Sequence, residues 1–136
     1  MEHQTSNVKL QNKSQGLNPK IYDIRERCLV FSKRALSICK MLPRIPECEN
    51  IRCQMASAVT SIGANYEEAD GAITKKDFIN KAAIARKEAK EARYWLRVIS
   101  GTYIKEDELT PDIKEAEEIV NIISAIIRNS GIKRRP

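Results

Sequence analysis

Residues 61–71 read SIGANYEEADG, and they sit in the middle of an otherwise regular apolar pattern. Ile51, Met55, Ala58 and Ile62 precede them at spacings of 4, 3 and 4, and Asn65 and Ala69 continue the series at 3 and 4. That is the period of one helix face. A glycine inside such a helix costs about 1 kcal/mol relative to alanine. The cost is offset where a second backbone comes close. The stretch that follows supplies a candidate, because Ala82, Ala85, Ala89 and Ala92 give the next helix a thin alanine face. Gly63 is therefore expected at a close contact between the second and third helices. Asn65 is expected on the seam, where a buried amide fixes register at some loss of stability. On this reading SIGAN is a packing device rather than a ligand site.

Working outward, three more helices carry their own punctuation. Asn18-Pro19 opens the first, a cap residue followed by proline at the first helical position. Its seam is Ile21, Ile24, Cys28, Phe31, Ala35, Ile38 and Leu42, and Pro43 and Pro46 end it. The second begins near Pro46 with Glu47 and Glu49 in its first turn, where the helix dipole favours anions, and Gly71 closes it. Thr74 with Asp77 makes a capping-box-like start to the third, whose seam runs from Phe78 through the alanines to Leu96 and Ile99, with Gly101 after it. Thr110-Pro111 is expected to start the fourth, with Ile113, Ala116, Val120, Ile123 and Ile127 as its seam and Gly131 as its end. No strand-like alternation of useful length occurs. Short connections make successive helices antiparallel neighbours. The expected fold is all-α, an up-down-up-down four-helix bundle over residues 18–131. It is flanked by a flexible polar tail at 1–17 and a basic tail at 132–136.

Two helices carry more apolar residues than one seam needs. The fourth adds Ile119, Ile122 and Ile126, and the third adds Ile84, Trp95 and Val98. Surplus apolar stripes on long helices predict a subunit interface, here through Trp95, Ile119, Ile122 and Ile126, and hence a homo-oligomer.

Charge is distributed unevenly. The net +6 belongs to the ends, with Lys9, Lys13 and Lys20 against Glu2 in one and Arg128, Lys133, Arg134 and Arg135 in the other; residues 21–127 net zero. A uniformly basic nucleic-acid-binding body is thereby excluded. Within the body, however, Arg86, Lys90, Arg93 and Arg97 recur at 4, 3 and 4 on one face of the third helix. Like charges at that spacing repel by a few tenths of a kcal/mol per pair. Two compensations present themselves: phosphate, or acid from the fourth helix, since residues 105–120 hold seven acidic and two basic residues. With two Phe, four Tyr and one Trp in the chain, stacking on single-stranded bases is not expected. Candidate nucleic-acid contacts are the four stripe residues together with Lys133, Arg134 and Arg135 of the tail.

Catalytic and metal chemistry find no footing. Cys28, Cys39, Cys48 and Cys53 show no CxxC spacing and the single histidine is His3, so no zinc or di-iron ligand set is present. The cysteines read as small buried hydrophobes. Adjacent Glu67 and Glu68 point about 100° apart on a helix and are not placed to share a metal or proton. No nucleophile–base pair is found. No cofactor and no enzymatic activity are expected. Residues 1–20 contain no signal-peptide-like apolar run, no segment reaches the ~20 apolar residues of a membrane span, and the cytoplasm is the expected location.

QMASAVTSIGANYEEADG followed by DFINKAAIARKEAKEARYWLRVI resembles the four-helix-bundle family of 23S rRNA intervening-sequence proteins. The resemblance is carried by Ser61, Ile62, Ala64, Asn65, Glu67, Glu68 and Gly71, then Asp77, Phe78, Ala85, Glu88, Glu91 and Leu96. It implies a small homo-oligomer, a pentameric ring in known members, without enzymatic activity. RYWLRVISG and the acidic fourth helix after LTP are also similar to a related branch. That branch is the accessory variability determinant of diversity-generating retroelements, which binds a reverse transcriptase and nucleic acid. The partners implied are further copies of the chain, RNA or DNA, and a reverse transcriptase. The function expected is that of a nucleic-acid- or ribonucleoprotein-associated accessory factor, or else of a protein-binding assembly scaffold.

Overall fold

A computed structural model describes residues 19–131, which form four α-helices. These are α1 (Pro19–Lys40), α2 (Pro46–Asp70), α3 (Lys75–Ile99) and α4 (Glu106–Asn129). Among the described residues there is no strand, only an isolated bridge between Ser100 and Ile104 in the α3–α4 turn. The polar N-terminal tail and the basic tail at 132–136 lie outside the described residues.

The helix starts follow local chemistry. Pro19 and Pro46 each occupy a first helical position, where the missing N–H removes a donor that has no partner anyway. Thr74 Oγ1 accepts from the Asp77 backbone N–H at 3.0 Å and so caps α3. Two boundaries differ from expectation. Gly71 follows α2 with φ −91°, so it ends the helix without the left-handed turn a glycine permits. α4 begins at Glu106 and runs through Pro111. Glu106, Asp107 and Glu108 fill its first turn, where negative charge is favoured, and Leu109 anchors that turn in the core. Gly101, at φ 78°, makes the reversal before it.

One core joins all four helices. The α1 seam from Ile24 to Leu42 is buried as expected. On α2, Tyr66 takes the core position assigned to Asn65. Asn65 lies on the flank, and its Nδ2 donates to the Ser61 carbonyl of its own helix at 2.9 Å. The expected buried register amide is therefore corrected to a local back-bond. Ala85, Ala89 and Ala92 of α3 are fully buried, and the α2–α3 contact they help form is the most extensive in the chain. Gly63 does not belong to it: a Cβ at Gly63 would meet the Cys28 Cβ of α1 at 3.6 Å. The bare backbone faces the first helix, and the α2–α3 contact is made without it, by the alanine face, the Tyr66–Phe78 ring pair and the Glu68–Lys81 ion pair among others.

Ile119, Ile122 and Ile126 are also core residues, at most 9% exposed. They are not a spare face for a second copy, as their number on one helix suggested. The thin alanine face of α3 leaves volume that bulky side chains of its neighbours fill, large against small.

Each helix touches its neighbours in sequence and α4 also touches α1; the diagonal pairs α1–α3 and α2–α4 make no contact cluster. Polar clasps mark the corners. Arg25 reaches Glu67 and Asp70, Ser32 donates to the Val59 carbonyl, and Arg52 donates to the carbonyls of Cys39 and Leu42. These contacts step down α2 as they step up α1. Arg52, also paired with Glu49 at 2.7 Å, satisfies carbonyls at the end of α1 that have no helical partner.

Candidate nucleic-acid interface

The alanine seam sets the azimuth of everything else on α3. With Ala85, Ala89 and Ala92 turned inward, the residues one step around the helix lie along its border with α4. These are Arg86, Lys90, Arg93 and Arg97. Arg86 and Arg93 are half-buried, their stems along the core; Lys90 and Arg97 are exposed. Arg86 Nη1 donates to Ser124 Oγ of α4 at 3.4 Å, which fixes the border to which the stripe belongs. The four predicted residues thus share one flank.

The acid of α4 does not meet this stripe within the chain. Its ion-paired carboxylates face the other way, toward α1. Arg27 holds Glu115 through Nε and Nη2 at 3.0 and 2.7 Å, and Arg34 holds Asp112 at 2.9 and 3.2 Å. Both are two-pronged guanidinium–carboxylate pairs, the stronger geometry. The hydrogen bonds that Arg34 donates to Asp112 raise its pKa further above the ordinary value. Of the stripe residues, none has a carboxylate within 4.0 Å among the described residues. The intramolecular form of the acid compensation is therefore corrected, because α4 spans two borders and its paired acids lie on the α1 side.

The same flank continues beyond the predicted stripe. Lys75 and Lys76, with Ile79 and Asn80, line a shallow depression at the start of α3. From Lys75 to Arg97 is about 33 Å along the helix. The Lys75 Nζ comes within 2.7 Å of the position a Cβ on Gly131 would take. The end of α4 therefore lies at the Lys75 end of the flank. Lys133, Arg134 and Arg135 follow Gly131 in sequence but lie outside the described residues.

Trp95 is half-buried on the opposite, α2 side of α3, where its Nε1 donates to Glu91 Oε2 at 3.2 Å. Tyr94, which the sequence reading passed over, is 59% exposed at the outer edge of the basic flank. Its spacing of four from Lys90 and three from Arg97 was the available signal. Glu67 and Glu68 are divided between neighbours, the first with Arg25 of α1 and the second with Lys81 of α3, as their angular separation requires. Among the described residues no cluster of three or more His, Cys, Asp or Glu is placed to hold a metal ion. No helix among the described residues is long and apolar enough to cross a membrane.

Over the described residues, fold and surface define an all-α body of four helices that carries one long basic flank. Comparison with known proteins places it more closely. The family model described as 23S rRNA-intervening sequence protein matches residues 11–125, and the chain belongs to that family. A similar solved structure is that of a protein of unknown function from the S23 ribosomal protein family of Bacteroides thetaiotaomicron. It is 32% identical, with a TM-score of 0.72 over 81% of this chain and 99% of that one. No curated protein matches.

Proposed function

We propose that this protein is a non-enzymatic, homo-oligomeric accessory factor that binds nucleic acid through phosphates along the basic flank of α3. One observation carries the reading: among the described residues the stripe has no acid partner, while two of the seven acids of residues 105–120, Asp112 and Glu115, are paired with Arg34 and Arg27 on α1. Four cations on one flank match a phosphate backbone better than a set of base edges, so binding is independent of sequence. The basic tail, which follows Gly131 at the Lys75 end of the flank, adds to it. Short connections and the stepwise α1–α2 clasps support an antiparallel up-down-up-down bundle. Repetition of the flank around a ring, pentameric as the resemblance implies, multiplies a weak affinity. A cytoplasmic location fits this role.

A second reading, a protein-binding scaffold for a partner such as a reverse transcriptase, draws on the apolar residues exposed on α1 and just after it, Leu29, Val30, Leu36 and Met41. Titration of labelled RNA and DNA at two salt concentrations discriminates. Phosphate-driven binding falls steeply with salt. Changing Arg86, Lys90, Arg93 and Arg97 to Gln weakens it for every sequence and lowers the salt slope by up to about 3–4. Deleting residues 132–136 weakens it less, because a tail loses conformational freedom on binding. A quadruple variant that falls apart into smaller species would show the stripe pairing across a subunit boundary. One that stays assembled and binds as before overturns the proposal.

A further inference from the structure

Tyr94 is the one aromatic residue among the large apolar side chains that the described residues expose. It is also held in place. Its ring lies edge-on to Trp95, with centroids 5.2 Å apart and planes at 70°. Trp95 in turn is fixed by its hydrogen bond to Glu91 and its packing against the core. An aromatic ring that is both exposed and braced is not explained by burial. Exposed cations flank it: Lys90 lies four residues before it and Arg97 three after, with Lys87 a turn further back, while Glu91, three before, is half-buried and accepts from Trp95. Residues three and four apart are neighbours on a helix surface. The ring is therefore set between cations about 10 Å apart along the axis.

We propose that Tyr94 is a stacking platform for an unpaired base, so that the flank prefers single-stranded nucleic acid, or the unpaired part of a folded one, over duplex. An exposed π-face flanked by phosphate-binding cations is the combination that single strands require. A duplex offers the phosphates but keeps its bases stacked away from the ring. The scarcity of aromatic residues argued against stacking at the level of composition; a single ring at the right place removes that objection. The proposal rests on the phosphate-binding reading of the same flank and adds a preference which that reading alone does not contain.

The test compares a fluorescein-labelled single-stranded 15-mer with the corresponding duplex, at one salt concentration. Tyr94→Ala is expected to weaken single-strand binding roughly tenfold and to leave duplex affinity and assembly unchanged, while Tyr94→Phe retains the preference. Trp95, the only tryptophan of the chain, reports locally: single strand alters its emission in the wild type and in Tyr94→Phe, and not in Tyr94→Ala. Equal binding of single strand by wild type and Tyr94→Ala overturns the proposal and leaves the phosphate reading standing. Equal loss of single strand and duplex overturns it too. Dissociation of Tyr94→Ala into smaller species would assign the ring to a protein interface instead. If neither probe binds at low salt, the phosphate reading itself has failed.

Discussion

Gly63 shows how one residue's role depends on which neighbour it meets. Its pattern and its place beside an alanine-rich helix pointed to α3, yet the space above it belongs to Cys28 of α1 at 3.6 Å. That distance is ordinary contact, so one methyl is accommodated. Gly63→Ala should raise stability by up to about 1 kcal/mol, because alanine is the better helix former. Gly63→Leu should lower it by about 1–3 kcal/mol through overpacking against α1, and Ala56→Leu, half-buried, should lower it less. Urea midpoints decide the order, and equal shifts for the two leucine variants would remove the contact argument. The cysteines divide in the same local way. Cys28, Cys39 and Cys48 are buried and Cys53 is exposed, which corrects the expectation that all four serve as core hydrophobes. Burial pushes the Cys28 thiol up to about 12 from an ordinary 9.0, and nearby Glu115 adds to the rise. Reactivity needs the thiolate, so at pH 8 one equivalent of a thiol reagent, at Cys53, should react quickly in the native protein and four after denaturation. The sign for stability follows. Between about pH 9 and 12 the folded chain holds a proton at Cys28 that the unfolded chain releases, so stability falls as pH rises through that window. Two fast equivalents in the native protein would contradict the assigned burial.

Among the helices, α4 departs most from its pattern. The pair Thr110-Pro111 reads as a start, and the rule behind that reading is sound. Here three acids further upstream and a buried Leu109 carry the helix back to Glu106, and Thr110 Oγ1 donates to the Glu106 carbonyl at 3.0 Å. Tertiary anchoring has outweighed a local start signal. The seams of α1 and α3 were legible because their apolar residues repeat with the helix period and nothing competes with them. The double face of α4 was legible as a surplus, but its destination was not. Whether Ile119, Ile122 and Ile126 point to a second copy or into the chain depends on how much volume the alanines of α3 leave empty. Nor does sequence spacing tell that Asp112 and Glu115 turn to α1, since that follows from which border of α4 each occupies. Asp112 is the buried member of its pair, with its side chain 10% exposed against 46% for Arg34. Removing it strips a desolvated contact between two helices, although water partly screens the guanidinium. Asp112→Ala should therefore cost about 1–3 kcal/mol. Arg25→Ala, which breaks only the exposed pairs to Glu67 and Asp70, should cost less than about 1. Chemical denaturation of the two variants measures the difference, and a neutral Asp112→Ala would mean that the α1–α4 border closes on apolar contacts alone.

For the whole molecule, any assembly would draw on the apolar surface that the single chain leaves uncovered. With the isoleucines of α4 inside, most of the exposed apolar residues lie on or next to two helices, while Ile73 stands apart in the α2–α3 turn. α1 carries Leu29, Val30 and Leu36, with Met41 just after it, and α3 carries Ile84 beside half-buried Trp95 and Val98. These helices form a diagonal pair without mutual contact, so the two patches lie at opposite corners. Different patches at opposite corners favour a head-to-tail contact, and such contacts close into rings when the rotation permits, whereas a patch that meets its own copy gives a two-fold dimer. Sedimentation should accordingly show a species several times the mass of one chain. Leu29→Glu with Leu36→Glu should yield single chains of unchanged helix content, because these leucines are 47% and 38% exposed in the single chain. Ile122→Glu, at 6% exposure, should unfold the chain itself. Ile84→Glu changes the other patch and should also give single chains. The decisive experiment mixes the two single-chain variants. A head-to-tail contact leaves one intact α1 patch and one intact α3 patch in the mixture. The two variants then join once and stop, forming a heterodimer that neither forms alone. An interface between like patches gives nothing on mixing, and the ring geometry would then have to be abandoned even if the wild-type protein is an oligomer.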